Sequence, residues 1–228
     1  MNPILVTGAS RGIGAALTAL CAARGRPVIA VARHFTAPPA PGVTQITADL
    51  AGRDGIARAA AAVTMPLHAL VNNAGIQQAL DLADPDPAAA EREIALNLVA
   101  PLHLTCALLP QLPRGATVVN VTSLLARHPK PSAPVYCASK AGLASLTRSM
   151  RHQLGPRGIT VIEALPPLVD TQMTAGRGAA KMPPETMARA ILDGIERGRP
   201  RIAPGPSRAV LVLDRLLPEL VARLMARG

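Results

Sequence analysis

Residues 4–14 read ILVTGASRGIG: a short apolar run, then glycines at 8, 12 and 14, then the start of an Ala-rich segment that runs to about Arg24. A second apolar run, VIAVA (28–32), follows. Strand, helix and strand within about thirty residues make a βαβ unit. At Gly8, Gly12 and Gly14 the backbone must turn sharply and approach a ligand closely, which is cheap where no Cβ obstructs. The helix that begins there presents unpaired N–H groups and a partial positive charge. Gly8, Ser10, Arg11, Gly12, Ile13 and Gly14 therefore read as a cradle for a pyrophosphate.

Outward from this unit the alternation continues. VTQIT (43–47), HALVN (68–72), ATVVNVT (116–122) and ITVIEAL (159–165) are expected strands, with a short one near Ile202. Helices are expected from Arg53 to Thr64, up to Pro110, over 135–154 and 185–197, and as one amphipathic C-terminal helix over 207–227. This pattern predicts an α/β chain with a doubly wound, mostly parallel seven-stranded sheet and helices on both faces. The length, 228 residues, suits a single domain spanning 1–228. Such sheets bind ligands just beyond the carboxyl ends of their strands.

Composition excludes several functions. One Phe, one Tyr and no Trp leave a core of Ala, Val, Leu and Ile, and almost no ring to stack on nucleic-acid bases. The net charge of +10 comes from dispersed arginines, so no nucleic-acid partner is expected. Cys21, Cys106 and Cys137 form no C-x-x-C pair, and His68, His103, His128 and His152 lack metal-ligand spacing, so neither a disulfide framework nor a metal is expected. The N-terminus has no basic n-region, and no apolar run approaches the roughly 20 residues of a membrane span. A cytoplasmic protein with no membrane span is the expectation.

The ends of the first two strands address cofactor choice. Dinucleotide folds that prefer NAD carry an acid at the end of the second strand, on the ribose hydroxyls. This chain has no Asp or Glu before Asp49; Arg33 and His34 end that strand, and Arg11 lies in the glycine loop. Two permanent cations suit a 2'-phosphate, hence NADP(H).

The only tyrosine, Tyr136, lies four residues before Lys140 in YCASK at the start of a predicted helix, so the two share a face. A neighbouring ammonium is expected to lower a phenol's pKa from its ordinary value near 10, making it a proton donor and acceptor near neutral pH. Ser123 ends the fifth strand, where its hydroxyl can meet the same substrate oxygen.

Taken together, TGASRGIG (7–14), ADL around Asp49, NNAG (72–75), LNL around Asn97, Ser123, YCASK (136–140) and PPLVDT (166–171) resemble the short-chain dehydrogenase/reductase family from end to end. The resemblance implies a Rossmann-type fold in which Tyr136 is the general acid/base, and Lys140 lowers its pKa and holds the nicotinamide ribose. Ser123 would position the substrate oxygen, and Asn97 would hold a proton-relaying water. It further implies that Asp49 and Leu50 lie near the adenine, that Asn73, Ala74 and Gly75 run along the cofactor, and that Thr171 lies near the carboxamide, with Pro166 and Val169 as contacts of the same loop. One departure is Pro167, where the family has Gly; it removes an N–H and fixes φ. A homodimer or homotetramer is implied by the resemblance alone.

The expected activity is hydride transfer between NADPH and a small carbonyl or alcohol. A non-catalytic dinucleotide sensor is the alternative, and Ser123, Tyr136, Lys140 and Asn97 together argue against it. Ile76, Leu80, Leu82, Leu168 and Met173 favour an aliphatic or weakly polar substrate, with Gln77 and Gln78 for one polar group; Arg177 and Lys181 leave room for a single carboxylate. The C-terminal segment is expected to pack on the domain or cover the cleft rather than lie on a membrane.

Overall fold

The computed structural model describes residues 1–84, 86–178 and 180–227. Its seven strands are β1 (Ile4–Thr7), β2 (Val28–Ala32), β3 (Val43–Thr47), β4 (Ala69–Asn72), β5 (Thr117–Val121), β6 (Thr160–Ala164) and β7 (Arg201–Ile202). They form one sheet in the order β3-β2-β1-β4-β5-β6-β7, with every pairing parallel. The chain steps outward from β1 to β3, then returns to the other side of β1 for β4. The crevice between β1 and β4, at their carboxyl ends, is where the winding reverses, which is the usual ligand position in such sheets.

The strands alternate in what they bury. Leu5, Ile29, Val31, Leu70, Val118 and Val161 face one core, while Ile4, Val6, Val28, Ala30, Val71, Val119 and Ile162 face the other. Both faces are covered, so β1, β2, β4 and β5 are buried throughout and mostly apolar, with Thr7, Asn72, Thr117 and Asn120 as their polar members. Edge strand β3 buries only Ile46 fully, and there Thr44, Gln45 and Thr47 are tolerated.

Helices α1 (Gly12–Ala23) and α6 (Pro184–Glu196) cover one face through Leu17, Cys21, Met187 and Ile191. Helices α2 (Arg53–Ala61), α4 (Ala100–Ala107) and α5 (Pro134–Leu154) cover the other through Ile56, Ala59, Leu104, Met150 and Leu154. The helix expected to end near Pro110 is interrupted. It comprises α3 (Pro87–Ile94), a π-helical turn (Ala95–Val99) and α4. Such single wide turns often occur at functional sites, and this one carries Asn97.

The single C-terminal helix expected from the sequence is in fact two, α7 (Pro206–Leu216) and α8 (Pro218–Arg227). Pro218 disfavours the helical conformation in the residue before it, and Leu217 accordingly leaves it at φ −138°, ψ 63°. Asp214 on α7 accepts from Arg127 at 3.2 Å and lies 2.7 Å from His128 Nε2, fastening α7 to the segment after β5. Among the described residues no helix is long and apolar enough to cross a membrane.

Candidate active site

The glycine loop leaves β1 with Gly8 at φ 66° and Gly12 at φ 55°, in the left-handed region that favours glycine. A Cβ at Gly14 would lie 2.2 Å from the Gly8 carbonyl oxygen, so this glycine lets α1 close onto the loop. Thr7 ties the loop to the turn after β4. Its Oγ1 accepts from the Asn73 and Ala74 N–H groups, both at 3.0 Å, and Asn73 Nδ2 donates back to the Thr7 carbonyl at 2.9 Å. The Asn-Asn-Ala-Gly stretch thus braces the sheet and, through Ala74 and Gly75, also walls the cleft.

Fifteen residues read from the sequence as cofactor contacts line one cleft of about 370 Å³: Gly8, Ser10, Arg11, Gly12, Ile13, Arg33, Asp49, Leu50, Asn73, Ala74, Gly75, Tyr136, Lys140, Pro166 and Thr171. Gly14 and Val169 are not on its wall. Val169 is buried in the core below, and its neighbours Leu168 and Asp170 pair their backbone with Met182. Pro167, the departure from the family pattern, is also off the wall.

The cleft suits a phosphorylated dinucleotide. Arg11, at the N-cap of α1, makes no side-chain capping bond, and the first turn holds no acid, so the amides of that turn have no side-chain partner and can accept an anion. Arg11 donates to Gln172 across the cleft entrance. Arg33 is exposed at the end of β2, and no described carboxylate pairs with it. At the same end Asp49 accepts from Arg92 at 2.7 Å and from the Ala51 N–H at 3.1 Å. Partial burial pushes the Asp49 carboxyl up, but the Arg92 and Ala51 bonds outweigh it and hold the group below its ordinary value.

At the other end the chemistry-bearing residues converge. Tyr136 and Lys140 lie on the first two turns of α5 and are only 8% and 4% exposed. Lys140 Nζ donates to the Val121 carbonyl at 2.8 Å and sits 5.8 Å from the centre of the Tyr136 ring. Ser123 hydrogen-bonds Tyr136, and its Oγ accepts from the Leu125 N–H at 3.1 Å, which fixes the serine at the end of β5. Asn97 Oδ1 accepts from the Ile76 N–H and its Nδ2 donates to the Ile76 carbonyl, both at 2.9 Å. A Cβ on Gly75 would lie 3.1 Å from Asn97 Oδ1 and 3.5 Å from Lys140 Nζ, so all three meet at one point.

The expectation that Lys140 lowers the Tyr136 pKa is corrected. Burial pushes the phenol up to about 12, with the Ser123 hydrogen bond and the Arg177 charge opposing. Burial likewise pushes Lys140 down to about 8, against the Glu93 charge. The ammonium is aimed at the Val121 carbonyl rather than the phenolic oxygen, so desolvation governs both groups.

Sequence reasoning passed over Glu93. It is fully buried; one oxygen accepts from the Gln78 N–H at 3.3 Å and the other has no partner among the described residues. Burial raises its pKa, while the Gln78 bond and the Lys140 charge pull the other way. The signal was present, since Glu93 stands one helical turn before Asn97 on the same face. Thr122 and Gln172, which unlike Glu93 line the cleft wall, carried no comparable signal.

A fold wound around a β1–β4 crevice, with a glycine loop at one end and a buried Ser–Tyr–Lys cluster at the other, defines a class of dinucleotide-dependent oxidoreductases. The family model described as short chain dehydrogenase matches residues 2–181. The chain is 34% identical over 226 residues to the oxidoreductase DltE of Bacillus subtilis, covering 88% of this chain and 87% of that one. It is 32% identical to the L-xylulose reductase of Bos taurus, covering 86% and 81%. A short chain dehydrogenase from Burkholderia cenocepacia, solved in complex with NADP, superposes with a TM-score of 0.89 at 28% identity, covering 98% of this chain and 97% of that one. The chain belongs to the short-chain dehydrogenase family.

Proposed function

We propose that this protein transfers a hydride between NADP(H) and a small carbonyl or alcohol substrate. The observation that carries this reading is the joining, in one cleft, of Tyr136 and Lys140, with Ser123 hydrogen-bonded to the tyrosine, and a β2 end that bears Arg33 and no acid. NADP-bound and NADPH-bound relatives, from Burkholderia cenocepacia and Sphingobium yanoikuyae, support the cofactor.

In this mechanism the α1 N-terminus, with Gly8, Ser10, Gly12 and Ile13, holds the pyrophosphate. Arg11 and Arg33 hold the 2'-phosphate as fixed cations. Asp49 and Leu50 border the adenine, Asn73 to Gly75 run along the dinucleotide, and Pro166 and Thr171 border the nicotinamide. When bound, the cofactor supplies or accepts the hydride. Ser123 orients the substrate oxygen, and Tyr136 donates a proton to it in reduction or takes one in oxidation. A phenol held near 12 is protonated at neutral pH, which suits donation. Lys140 would hydrogen-bond the nicotinamide ribose and keeps a positive charge beside the Tyr136 ring. Asn97, locked to Ile76, keeps the floor of the site in place.

A panel of aldehydes, ketones, 3-oxoacyl thioesters and sugars, followed by NADPH absorbance, tests the reading. Consumption of NADPH with at least one simple carbonyl is expected. Tight NADPH binding with no turnover of any member would favour a sensor.

A further inference from the structure

Two loops flank the substrate end of the cleft, one after β4 and one between β6 and α6. Ile76 from the first and Met173 from the second line it with apolar surface. Among the described residues the loops are joined by a single side-chain bond, from Arg177 to Gln77 Oε1. Arg177 is set between two glycines in the left-handed region, Gly176 at φ 73° and Gly178 at φ 55°, and its N–H donates to the Thr174 carbonyl at 3.1 Å. The turn therefore has a defined shape that delivers this one side chain inward. A Cβ at Gly178 would come 2.7 Å from Leu168, so the turn is also packed against its own loop.

The guanidinium is half-buried, and no carboxylate among the described residues pairs with it. Among the described residues its only side-chain bond is to a neutral amide, which uses few of its five N–H donors. It is close enough to Tyr136 for its charge to favour the phenolate. The second cation of this loop, Lys181, is already engaged: it donates to the Thr174 carbonyl at 2.8 Å and lies 3.6 Å from Asp170 Oδ1. One partly desolvated cation whose charge reaches the acid/base, next to a cleft end lined by Ile76 and Met173, is the arrangement that recognises a single anionic group.

We propose that Arg177 is the substrate-recognition cation of this site, and that the preferred substrate is a short oxo acid, or the matching hydroxy acid, whose carboxylate is held by Arg177 with Gln77 fixing the fork. This deepens the carbonyl-reductase reading and rests on it. The carboxylate takes no part in bond making; it orients the carbonyl toward Ser123 and Tyr136.

The test pairs short oxo acids, differing in the separation of carboxylate and carbonyl, with their primary amides. At least one acid is expected to exceed its amide by about tenfold or more in kcat/KM, mainly through KM, as a charge-assisted bond to a guanidinium would supply. Arg177→Gln is expected to bring that ratio close to one. In parallel, calorimetry of short saturated carboxylic acids against the NADPH-bound protein reads the same site without turnover. Acid binding that Arg177→Gln removes supports the assignment even where no carbonyl is reduced, and that combination would count against the reductase reading instead. Amides turned over as well as acids, or an acid preference that survives Arg177→Gln, overturns the Arg177 assignment and leaves the reductase reading standing.

Discussion

Lys140 Nζ donates to the carbonyl oxygen of Val121 at 2.8 Å, joining the second turn of α5 to the last residue of β5. The bond fixes where the ammonium sits and keeps it buried, and burial sets its pKa near 8 rather than the ordinary 10.5. A lysine whose folded pKa is depressed binds fewer protons folded than unfolded between those two values, so stability rises with pH across that window. Lys140→Met should therefore raise the melting temperature of the cofactor-free protein at pH 7, and the gain should shrink as pH rises from about 8 toward 10.5. The same variant should lose turnover and weaken NADPH binding. Thermal melts at pH 7 and pH 10, with cofactor titration by fluorescence, check both.

Tyr136→Phe should abolish turnover while leaving the dissociation constant for NADPH within a few-fold, because the hydroxyl moves a proton and contributes little to dinucleotide binding. With the phenol near 12, the protonated form dominates across the neutral range. Carbonyl reduction should be nearly independent of pH between about 6 and 8, whereas alcohol oxidation, which needs the phenolate, should rise by about tenfold per unit. Steady-state rates in both directions decide this, and a reduction rate that falls steeply as pH rises from about 6 to 8 would place the proton donor elsewhere.

NADPH should bind at least about tenfold more tightly than NADH, a difference of about 1.4 kcal/mol. The exposed Arg33 and the absence of an acid at the end of β2 are the reason. Arg33→Asp should narrow or reverse the ratio by supplying an acceptor for the ribose hydroxyls. Fluorescence titration of both cofactors at one ionic strength gives the answer; equal affinities in the wild type would remove the role given to Arg33.

Glu93 is a buried carboxyl whose folded pKa lies above its ordinary 4.5. Such a group is tolerated while protonated and costs stability once pH rises through its folded value. Glu93→Gln keeps an acceptor for the Gln78 N–H and removes the charge. Its melting temperature relative to wild type should improve as pH rises from about 4.5 to 8, and a series of melts over that range shows whether the sign holds.

Gly14→Ala should destabilise by about 1–3 kcal/mol, since the added methyl meets the Gly8 carbonyl at 2.2 Å and one of the two backbones must shift. NADPH affinity should fall with it. Gly155→Ala, where nothing lies within 4 Å of the new atom, is the control and should change stability by less than about 0.5 kcal/mol. Chemical denaturation of the two variants separates a packing effect from a general cost of adding a methyl.

The sequence by itself determined the order of strands and helices, the glycine loop at Gly8 to Gly14, the basic β2 end at Arg33, and the shared face of Tyr136 and Lys140. Each follows from chemistry between near neighbours: apolar periodicity, φ allowed only to glycine, and a four-residue helical spacing. The break at Pro218 also had a local cause, though amphipathic periodicity continues across it and conceals it. Tertiary structure alone decided the rest. Arg11 meets Gln172, and Arg177 meets Gln77, across 161 and 100 residues of chain. The pKa of Tyr136 moved opposite to the expectation drawn from its neighbour Lys140, because burial outweighed the Ser123 hydrogen bond and the Arg177 charge while the Lys140 ammonium is aimed at Val121. Burial belongs to no residue's local sequence; it arises when distant strands and helices close over a group and remove its water, which is why Glu93, Lys140 and Tyr136 acquired their electrostatic character only in the folded chain.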